Sequence, residues 1–300
     1  MTYETCDLCP RACGVDRTRG ERGACHMTCR TVLARAALHY WEEPCISGTA
    51  GSGTIFFSGC PLGCVYCQNR EIADGSHGLE VDDGRLEEIF FELRDAGAHN
   101  INLVTPTHFA PTVAKAIRRA RGAGFALPFV CNTSGYESPE TLRALHGLID
   151  IYLTDLRYAR TATAAAYSRA PDYPAVARAA LAEMVRQTGA ATFDENGLMT
   201  RGTIVRILLL PGHLADAKLS LLHLAKHYGD AVWISLMQQY TPPPGMPCPL
   251  DRRVTEEEYK ALVHYAEALG IMNAYTQERE AANESFIPPF DLTGVRKEPI

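Results

Sequence analysis

The stretch GCPLGCVYCQN, residues 59–69, decides the fold of this 300-residue chain. Its cysteines, Cys60, Cys64 and Cys67, have the spacing C-x3-C-x2-C and follow directly after TIFFS, residues 54–58, a short apolar strand pattern. Three thiolates on one short loop can hold three corners of a cubane iron–sulfur cluster, which leaves one iron open for a ligand that chelates through nitrogen and oxygen. Three buried small residues, or part of a zinc site, are the alternative interpretations of this spacing.

Strand-like and helix-like segments alternate after this motif. Strands are predicted at residues 100–105, 128–132, 149–156, 203–210 and 231–237, with a last possible strand at 271–276. Helices are predicted at residues 82–97, 111–122, 139–146, 173–189, 214–228 and 255–270. About six β-then-α units imply crossover connections and a parallel sheet. An open, incomplete barrel and a doubly wound sheet both fit, since six units are too few for a full eight-fold barrel.

The composition excludes several other classes of protein. Hydrophobic residues make up 46% of the chain and charged residues 21%, which excludes a disordered or collagen-like chain. The net charge of −6 leaves no global basic field for nucleic acid or an anionic membrane. No apolar run approaches the roughly 20 residues of a membrane span. The N-terminus, MTYE, lacks a basic and then apolar leader, so we expect a cytoplasmic protein.

Eleven cysteines are unusual in such a chain, and nine of them lie in the first 67 residues. A disulfide framework is not expected in a reducing compartment. A second set, Cys6, Cys9, Cys13 and Cys25, precedes the first motif. Four thiolates at tetrahedral reach would form a structural zinc site in a segment too small for its own core. A second iron–sulfur cluster that passes electrons to the first, or free thiols, are the alternatives, because the spacing matches neither a ferredoxin nor a standard zinc finger.

A zinc ribbon that binds nucleic acid is disfavoured as the role of this N-terminal segment. Its arginines alternate with acidic residues, and aromatic residues are not interleaved with them. The other nearby candidate ligands are His26 and Cys29, which could replace one of the four cysteines.

The motif at residues 59–69 resembles that of the radical S-adenosylmethionine superfamily. The resemblance implies a six-stranded partial (β/α) barrel and a [4Fe–4S] cluster held by Cys60, Cys64 and Cys67. It also implies that S-adenosylmethionine binds the fourth iron through its amino and carboxylate groups. Transfer of one electron into the sulfonium then breaks the C5′–S bond and yields methionine and a 5′-deoxyadenosyl radical, which abstracts hydrogen from a substrate.

Four stretches, residues 59–69, 132–135, 154–157 and 206–212, are similar more narrowly to the pyruvate formate-lyase activating enzyme family, in its branch with an N-terminal cysteine segment. In activating enzymes the third strand ends in an acid-Thr pair and the fourth in Asp-x-Lys. The fifth strand carries an arginine before a Pro-Gly turn, and the sixth ends in polar residues that face the adenosine. The cofactor-binding residues implied here are, in that order, Asn132 and Thr133, Asp155 and Arg157, Arg206, and Gln239 and Tyr240, together with Tyr66 of the cysteine motif.

The second strand departs from the superfamily pattern. Most members end it in Gly-Gly-Glu-Pro, which binds the methionine amino group, whereas this chain has Thr105-Pro106-Thr107-His108. Hydroxyls or carbonyls of Thr105 and Thr107 could make a shifted amino contact. These residues lie at the C-terminal ends of predicted strands, and that end of a barrel carries the active site.

The sequence therefore predicts three regions and a radical enzyme. Residues 1–50 form a cysteine-rich metal-binding extension, residues 51–277 a partial (β/α)6 radical SAM barrel, and residues 278–300 a tail that packs on it. The leading hypothesis is an oxidoreductase that makes a glycyl radical on a partner enzyme, with a flavodoxin- or ferredoxin-type reductant. Direct action on a small molecule or peptide is the alternative. A non-catalytic iron–sulfur or zinc protein, carrying electrons or binding nucleic acid, is the alternative from another class.

Overall fold

A computed structural model describes residues 1–277 and 288–297 of the chain. Its strands form one sheet in the order β10-β9-β8-β6-β5-β4-β2-β1-β3, with β7 paired to β8. In chain order the strands are β1 Thr31–His39, β2 Ser52–Phe57, β3 Leu79–Val81, β4 Ile101–Val104, β5 Phe129–Thr133, β6 Ile151–Asp155, β7 Thr192–Phe193, β8 Met199–Leu208, β9 Trp233–Met237 and β10 Ala274–Thr276.

The strands from β2 to β10 along this sheet, β7 aside, run parallel to one another. Parallel neighbours need long crossovers, and helices occupy most of these connections. The helices are α1 Pro44–Ser47, α2 Arg70–Ala73, α3 Asp83–Asp95, α4 Ala110–Gly122, α5 Pro139–Ala144, α6 Thr161–Ser168, α7 Tyr173–Thr188, α8 Leu214–His227 and α9 Glu256–Ala268. As a result, the carboxyl ends of the parallel strands share one edge of the sheet, where open α/β sheets bind ligands.

The predicted alternation of strands and helices in an α/β fold with a mostly parallel sheet is confirmed. Strand β1 was not predicted, although it lies within the segment 1–50 and pairs antiparallel with β2. Its sequence TVLARAALH is rich in alanine, which has a low strand propensity. Its pairing also contains an irregularity between Leu33 and Arg35 that interrupts the alternation of buried and exposed positions.

The cysteine loop is anchored by the apolar core. Leu62 and Tyr66 of this loop are buried in the same cluster as Tyr158, Tyr173 and Leu210. A second apolar cluster contains the buried faces of α3 and α4, with residues such as Phe90 and Ile117. Because Leu62 and Tyr66 are both buried, the apolar core keeps the loop backbone between the cysteines in one position.

The N-terminal segment packs directly against the cysteine loop. Arg11 donates hydrogen bonds to the carbonyls of Pro61 at 2.9 Å and Leu62 at 3.2 Å. Gly59, with φ of 85°, precedes the first cysteine of the loop, and a Cβ there would lie 2.6 Å from the carbonyl oxygen of Cys25. Only glycine fits this close approach. The segment and the loop therefore form one packed unit.

The C-terminal tail is described in part. Residues 288–297 contact β1, where the amide of Ala36 donates to the carbonyl of Thr293 at 2.8 Å. Phe290 is buried with its ring 5.4 Å from that of Phe56. The remainder of the predicted tail, 278–287 and 298–300, lies outside the described residues. The described part of the chain has no helix of the length and apolar character that a membrane span requires.

Candidate functional site

Cys60, Cys64 and Cys67 line one cavity at the carboxyl edge of the sheet. The cavity has a volume of about 650 Å³ including its mouth. An adjoining cavity of about 700 Å³ shares several of its walls and extends past the end of β9. The residues that line both cavities are Cys67, Asn69, Val104, Asn132, Asp155, Arg157 and Arg206.

Burial keeps the thiols of Cys60 and Cys67 neutral in the absence of a metal. It raises the pKa of Cys60 to about 11 and that of Cys67 to about 12, and the neighbouring Cys64 contributes to both shifts. The guanidinium of Arg157 acts in the opposite direction on the pKa of both thiols. Thiolates are the form that binds metals. Three half-buried thiols beside a cation therefore fit a metal cluster whose positive irons stabilise the thiolates.

A buried network of charges connects the ends of β5, β6 and β8. The guanidinium of Arg206 donates to Asp155 Oδ1 at 2.9 Å and to Asn132 Oδ1 at 2.6 Å. Arg157 donates to the other carboxylate oxygen of Asp155 at 2.5 Å. Side chains from the ends of three strands thus meet at one place in the structure. Asp155 lies between the two arginines and holds both against the cavity wall.

Glu42 belongs to the same network and was missed by the sequence analysis. Its Oε2 accepts from Arg206 at 3.3 Å, and its Oε1 accepts from Asn102 at 3.0 Å and Asn132 at 3.2 Å. Burial raises the pKa of Glu42, and Arg206 opposes this shift. Glu42 lies between β1 and α1, far in sequence from every predicted strand end. No local signal marks it, because its role depends on the unpredicted pairing of β1 with β2.

The replacement for Gly-Gly-Glu-Pro places only one of its two threonines at the cavity. Thr105 lines the cavity and has φ of 59°, a strained conformation for a β-branched residue. Its amide donates to the carbonyl of Asn132 at 2.8 Å. Thr107 is fully buried in the 3-10 turn Thr107–Phe109 and is not among the cavity-lining residues. Thr133 lines the cavity, with its hydroxyl 3.1 Å from that of Thr154.

His108 contacts the chain just before the cysteine loop and faces neither the cavity nor the surface. It is buried, and its Nε2 lies 2.9 Å from the carbonyl oxygen of Ser58, two residues before Cys60. Burial lowers the pKa of His108 to about 3. The ring is therefore neutral, and its Nε2 carries the proton that it donates to the carbonyl.

The two predicted residues at the end of β9 have different environments. Gln239 lines the adjoining cavity, and its backbone carbonyl accepts from Gln68 at 3.1 Å. Tyr240 is buried, and its hydroxyl donates to the carbonyl of Leu250 at 2.6 Å. Its ring packs at 6.0 Å against that of Tyr66, which itself lines the adjoining cavity. Tyr240 therefore supports Tyr66, while Gln239 faces the cavity.

The N-terminal cysteines lie close to one another around Gly23 and Arg17. Cys6, Cys9 and Cys25 are buried and Cys13 is half-buried. The Sγ atoms of Cys13 and Cys25 lie 3.2 and 3.5 Å from the position that a Cβ on Gly23 would take. Within residues 1–277 and 288–297, however, no group of three or more His, Cys, Asp or Glu side chains is positioned to hold a metal ion.

The chain is similar to known proteins over most of its length. Residues 54–225, more than half of the chain, match the family model of the Radical SAM superfamily. An uncharacterized protein of Methanocaldococcus jannaschii is 26% identical over 276 residues, which cover 88% of this chain and 75% of that protein.

Two solved structures share the fold at low sequence identity. A radical SAM methyltransferase from Sphaerobacter thermophilus has a TM-score of 0.50 and 15% identity, with 75% of this chain and 66% of that chain covered. HydG, a maturase of the [FeFe]-hydrogenase, has a TM-score of 0.51 and 13% identity, with 76% and 52% covered. The chain thus spans just under two thirds of the methyltransferase and about half of HydG, and these identities show the fold alone.

Proposed function

The chain belongs to the radical SAM superfamily, and we propose that it cleaves S-adenosylmethionine in order to generate a glycyl radical on a partner protein. Membership in the superfamily supports an enzyme that uses a [4Fe–4S] cluster and S-adenosylmethionine. The observation that carries the proposal is the meeting of Cys60, Cys64 and Cys67 with the strand-end polar residues in one cavity. When bound, the cluster supplies the single electron that breaks the C5′–S bond.

The residues around the cavity would bind and orient the cofactor. The three thiolates would hold three irons, and Arg157, fixed by Asp155, would bind a carboxylate near them. Thr105 would offer its hydroxyl or carbonyl to the methionine amino group. Gln239, in the adjoining cavity, would face the adenosine. The network of Arg206, Asp155 and Asn132 would keep these groups in place without rearrangement during the reaction.

The glycyl-radical hypothesis rests on the similarity of the strand ends to those of activating enzymes. The 5′-deoxyadenosyl radical would take a hydrogen atom from a glycine Cα, which leaves 5′-deoxyadenosine and the protein radical. A flavodoxin- or ferredoxin-type protein would supply the electron. The alternative is direct action on a small molecule or peptide.

The test of this function is anaerobic reconstitution with iron and sulfide, reduction with dithionite, and measurement of 5′-deoxyadenosine. We expect the reduced protein to form 5′-deoxyadenosine and methionine from S-adenosylmethionine. An intact cluster that forms no 5′-deoxyadenosine would instead support the non-catalytic electron carrier. A glycyl-radical enzyme from the same genome should acquire an organic radical signal in electron paramagnetic resonance. A genome that encodes no such enzyme would leave direct action on a smaller substrate.

The tetrathiolate set near the N-terminus is proposed to hold a structural zinc ion, with a second iron–sulfur cluster as the alternative. The supporting observation is Arg17, whose side chain is fully buried. Its guanidinium donates to the carbonyls of Thr28 and His108 and lies 3.7 Å from Cys6 Sγ. In the described parts of the chain it has no carboxylate within ion-pair distance. A buried cation of this kind is stabilised by an anion, which a metal with four thiolates would provide.

Metal analysis of a Cys6→Ala/Cys9→Ala variant tests this site. We expect about one zinc ion per wild-type chain and its loss in the double variant, because two ligands are too few for a structural site. The exposed Cys248 provides the control, since Cys248→Ala should keep the zinc. A loss of about four irons with no zinc in the wild type would identify the second cluster. Equal metal content in all three proteins would disprove the site.

A further inference from the structure

We infer that Ser168 raises the reduction potential of the cluster by donating a hydrogen bond to the cluster ligand Cys64. This inference rests on the proposed function, because it requires a cluster on Cys60, Cys64 and Cys67. Ser168 is the last residue of α6 and is fully buried. Its hydroxyl oxygen lies 3.0 Å from Cys64 Sγ, within hydrogen-bond distance for sulfur.

A chain of buried hydroxyls directs the proton of Ser168 to the sulfur. The hydroxyl of Tyr158 lies 2.7 Å from that of Ser168, and the hydroxyl of Tyr66 lies 2.6 Å from that of Tyr158. Each hydroxyl has a single proton, and a thiolate can only accept. The arrangement that uses every contact has Tyr66 donating to Tyr158, Tyr158 to Ser168, and Ser168 to Cys64.

Arg157 lies at the far end of this chain. Its guanidinium is near enough to the Tyr66 phenol to act on it electrostatically, as it does on Cys60 and Cys67. A cation at one end of a hydrogen-bonded chain and a thiolate at the other polarise every link in the same direction. The bond that reaches Cys64 is therefore stronger than the bond of an isolated serine.

Backbone contacts hold Ser168 beside the cysteine loop without the help of its side chain. The amide of Val65 donates to the carbonyl of Tyr167 at 2.9 Å. Arg11 bridges the two segments, because it donates to the carbonyl of Arg169 at 2.9 Å as well as to that of Pro61. Removal of the Ser168 hydroxyl should therefore leave the loop in place. An effect of that removal on the cluster would come from the lost hydrogen bond.

Among the three cluster cysteines, Cys64 is the one whose sulfur accepts a hydrogen bond from a described side chain. The sulfurs of Cys60 and Cys67 interact with backbone amides, those of Leu62 and Gly63 in one case and Asn69 in the other. Hydrogen bonds to the sulfurs are among the factors that set the potential of an iron–sulfur cluster. A donor stabilises the reduced cluster more than the oxidised one, because the reduced cluster carries more negative charge on its sulfurs. Loss of the donor should therefore lower the potential.

The experiment is an anaerobic redox titration of the reconstituted full-length protein, followed by visible absorbance and electron paramagnetic resonance. For Ser168→Ala we expect the ratio of reduced to oxidised cluster at a fixed applied potential to fall about tenfold. This corresponds to a midpoint potential that is lower by about 60 mV for a one-electron couple. Tyr158→Phe removes the donor to Ser168 but keeps the ring, so the shift should have the same sign and be smaller. Tyr136→Phe is the matched control, because this buried hydroxyl bonds Asp172 instead of the chain.

The outcomes separate this inference from the proposed function. A wild-type protein that forms no cluster on its three cysteines would overturn both. Full clusters in every variant, with the Ser168→Ala potential equal to that of the wild type, would overturn the role of Ser168 alone. Should Ser168→Ala not retain its cluster, Tyr158→Phe decides, and a potential equal to that of Tyr136→Phe would overturn the inference.

Discussion

Cys67→Ala is expected to lower 5′-deoxyadenosine formation by more than about a thousandfold, because an iron–sulfur cluster needs each of its thiolate ligands. The substitution leaves two thiolates for a cluster that already has one iron without a protein ligand. Cys67 is also the cysteine that lines both cavities, so its loss affects the point where the cluster and the cofactor would meet. Iron content and product, measured on the same reconstituted sample, test this expectation.

Cys248→Ala is the control for this prediction. Cys248 is exposed and lies outside the cysteine loop, so the variant should keep the iron content and the activity of the wild type. A Cys67→Ala protein with wild-type iron and product would show that the cluster is held by other residues. Circular dichroism of both variants would confirm that the fold is retained, since the loop is anchored by Leu62 and Tyr66 and not by its cysteines alone.

Arg206→Leu is expected to reduce the free energy of unfolding by about 3–5 kcal/mol, the cost of breaking a buried ion pair by removal of one partner. The substitution leaves Asp155 without one of its two arginine partners. It also leaves Glu42, whose side chain is 9% exposed, with only the two asparagine amides as donors. Urea denaturation followed by circular dichroism measures the loss. An exposed ion pair provides the comparison. Arg143→Ala breaks the exposed pair with Glu140 and should lower the free energy of unfolding by less than about 1 kcal/mol.

The loss caused by Arg206→Leu should increase with pH. Burial raises the pKa of Glu42, and Arg206 is the first of the groups that oppose this shift. Without Arg206 the folded-state pKa of Glu42 rises further above its unfolded value. A carboxyl with a raised folded-state pKa contributes stability below the unfolded pKa and loses it as pH rises through the folded value. We therefore expect a smaller deficit at acidic pH than at neutral pH, and a deficit that is constant with pH would contradict this account.

Much of the candidate site could be predicted because its signals are local or repeat at strand ends. Cys60, Cys64 and Cys67 lie on one loop, so their spacing already limits how far apart they can be. Asp155 and Arg206 are distant in sequence, but each lies in the C-terminal part of a strand of a βα series, and parallel strands bring such ends to one edge. The same reasoning was too coarse for Thr107 and Tyr240. Each of them lies three residues after the end of its strand and is buried there.

The sequence by itself determined the class of chemistry, because the cysteine motif is contiguous. It also determined the α/β layering of the fold, because strands and helices alternate over short segments of the chain. Only the tertiary structure decided which side chains support that loop. Glu42 meets Arg206 across 164 positions, and Ser168 meets Cys64 across 104. The first contact depends on a strand that pairs with β2, and the second on a helix end that packs on the loop. No sequence spacing marks such contacts, because only the packing of distant segments brings their atoms together.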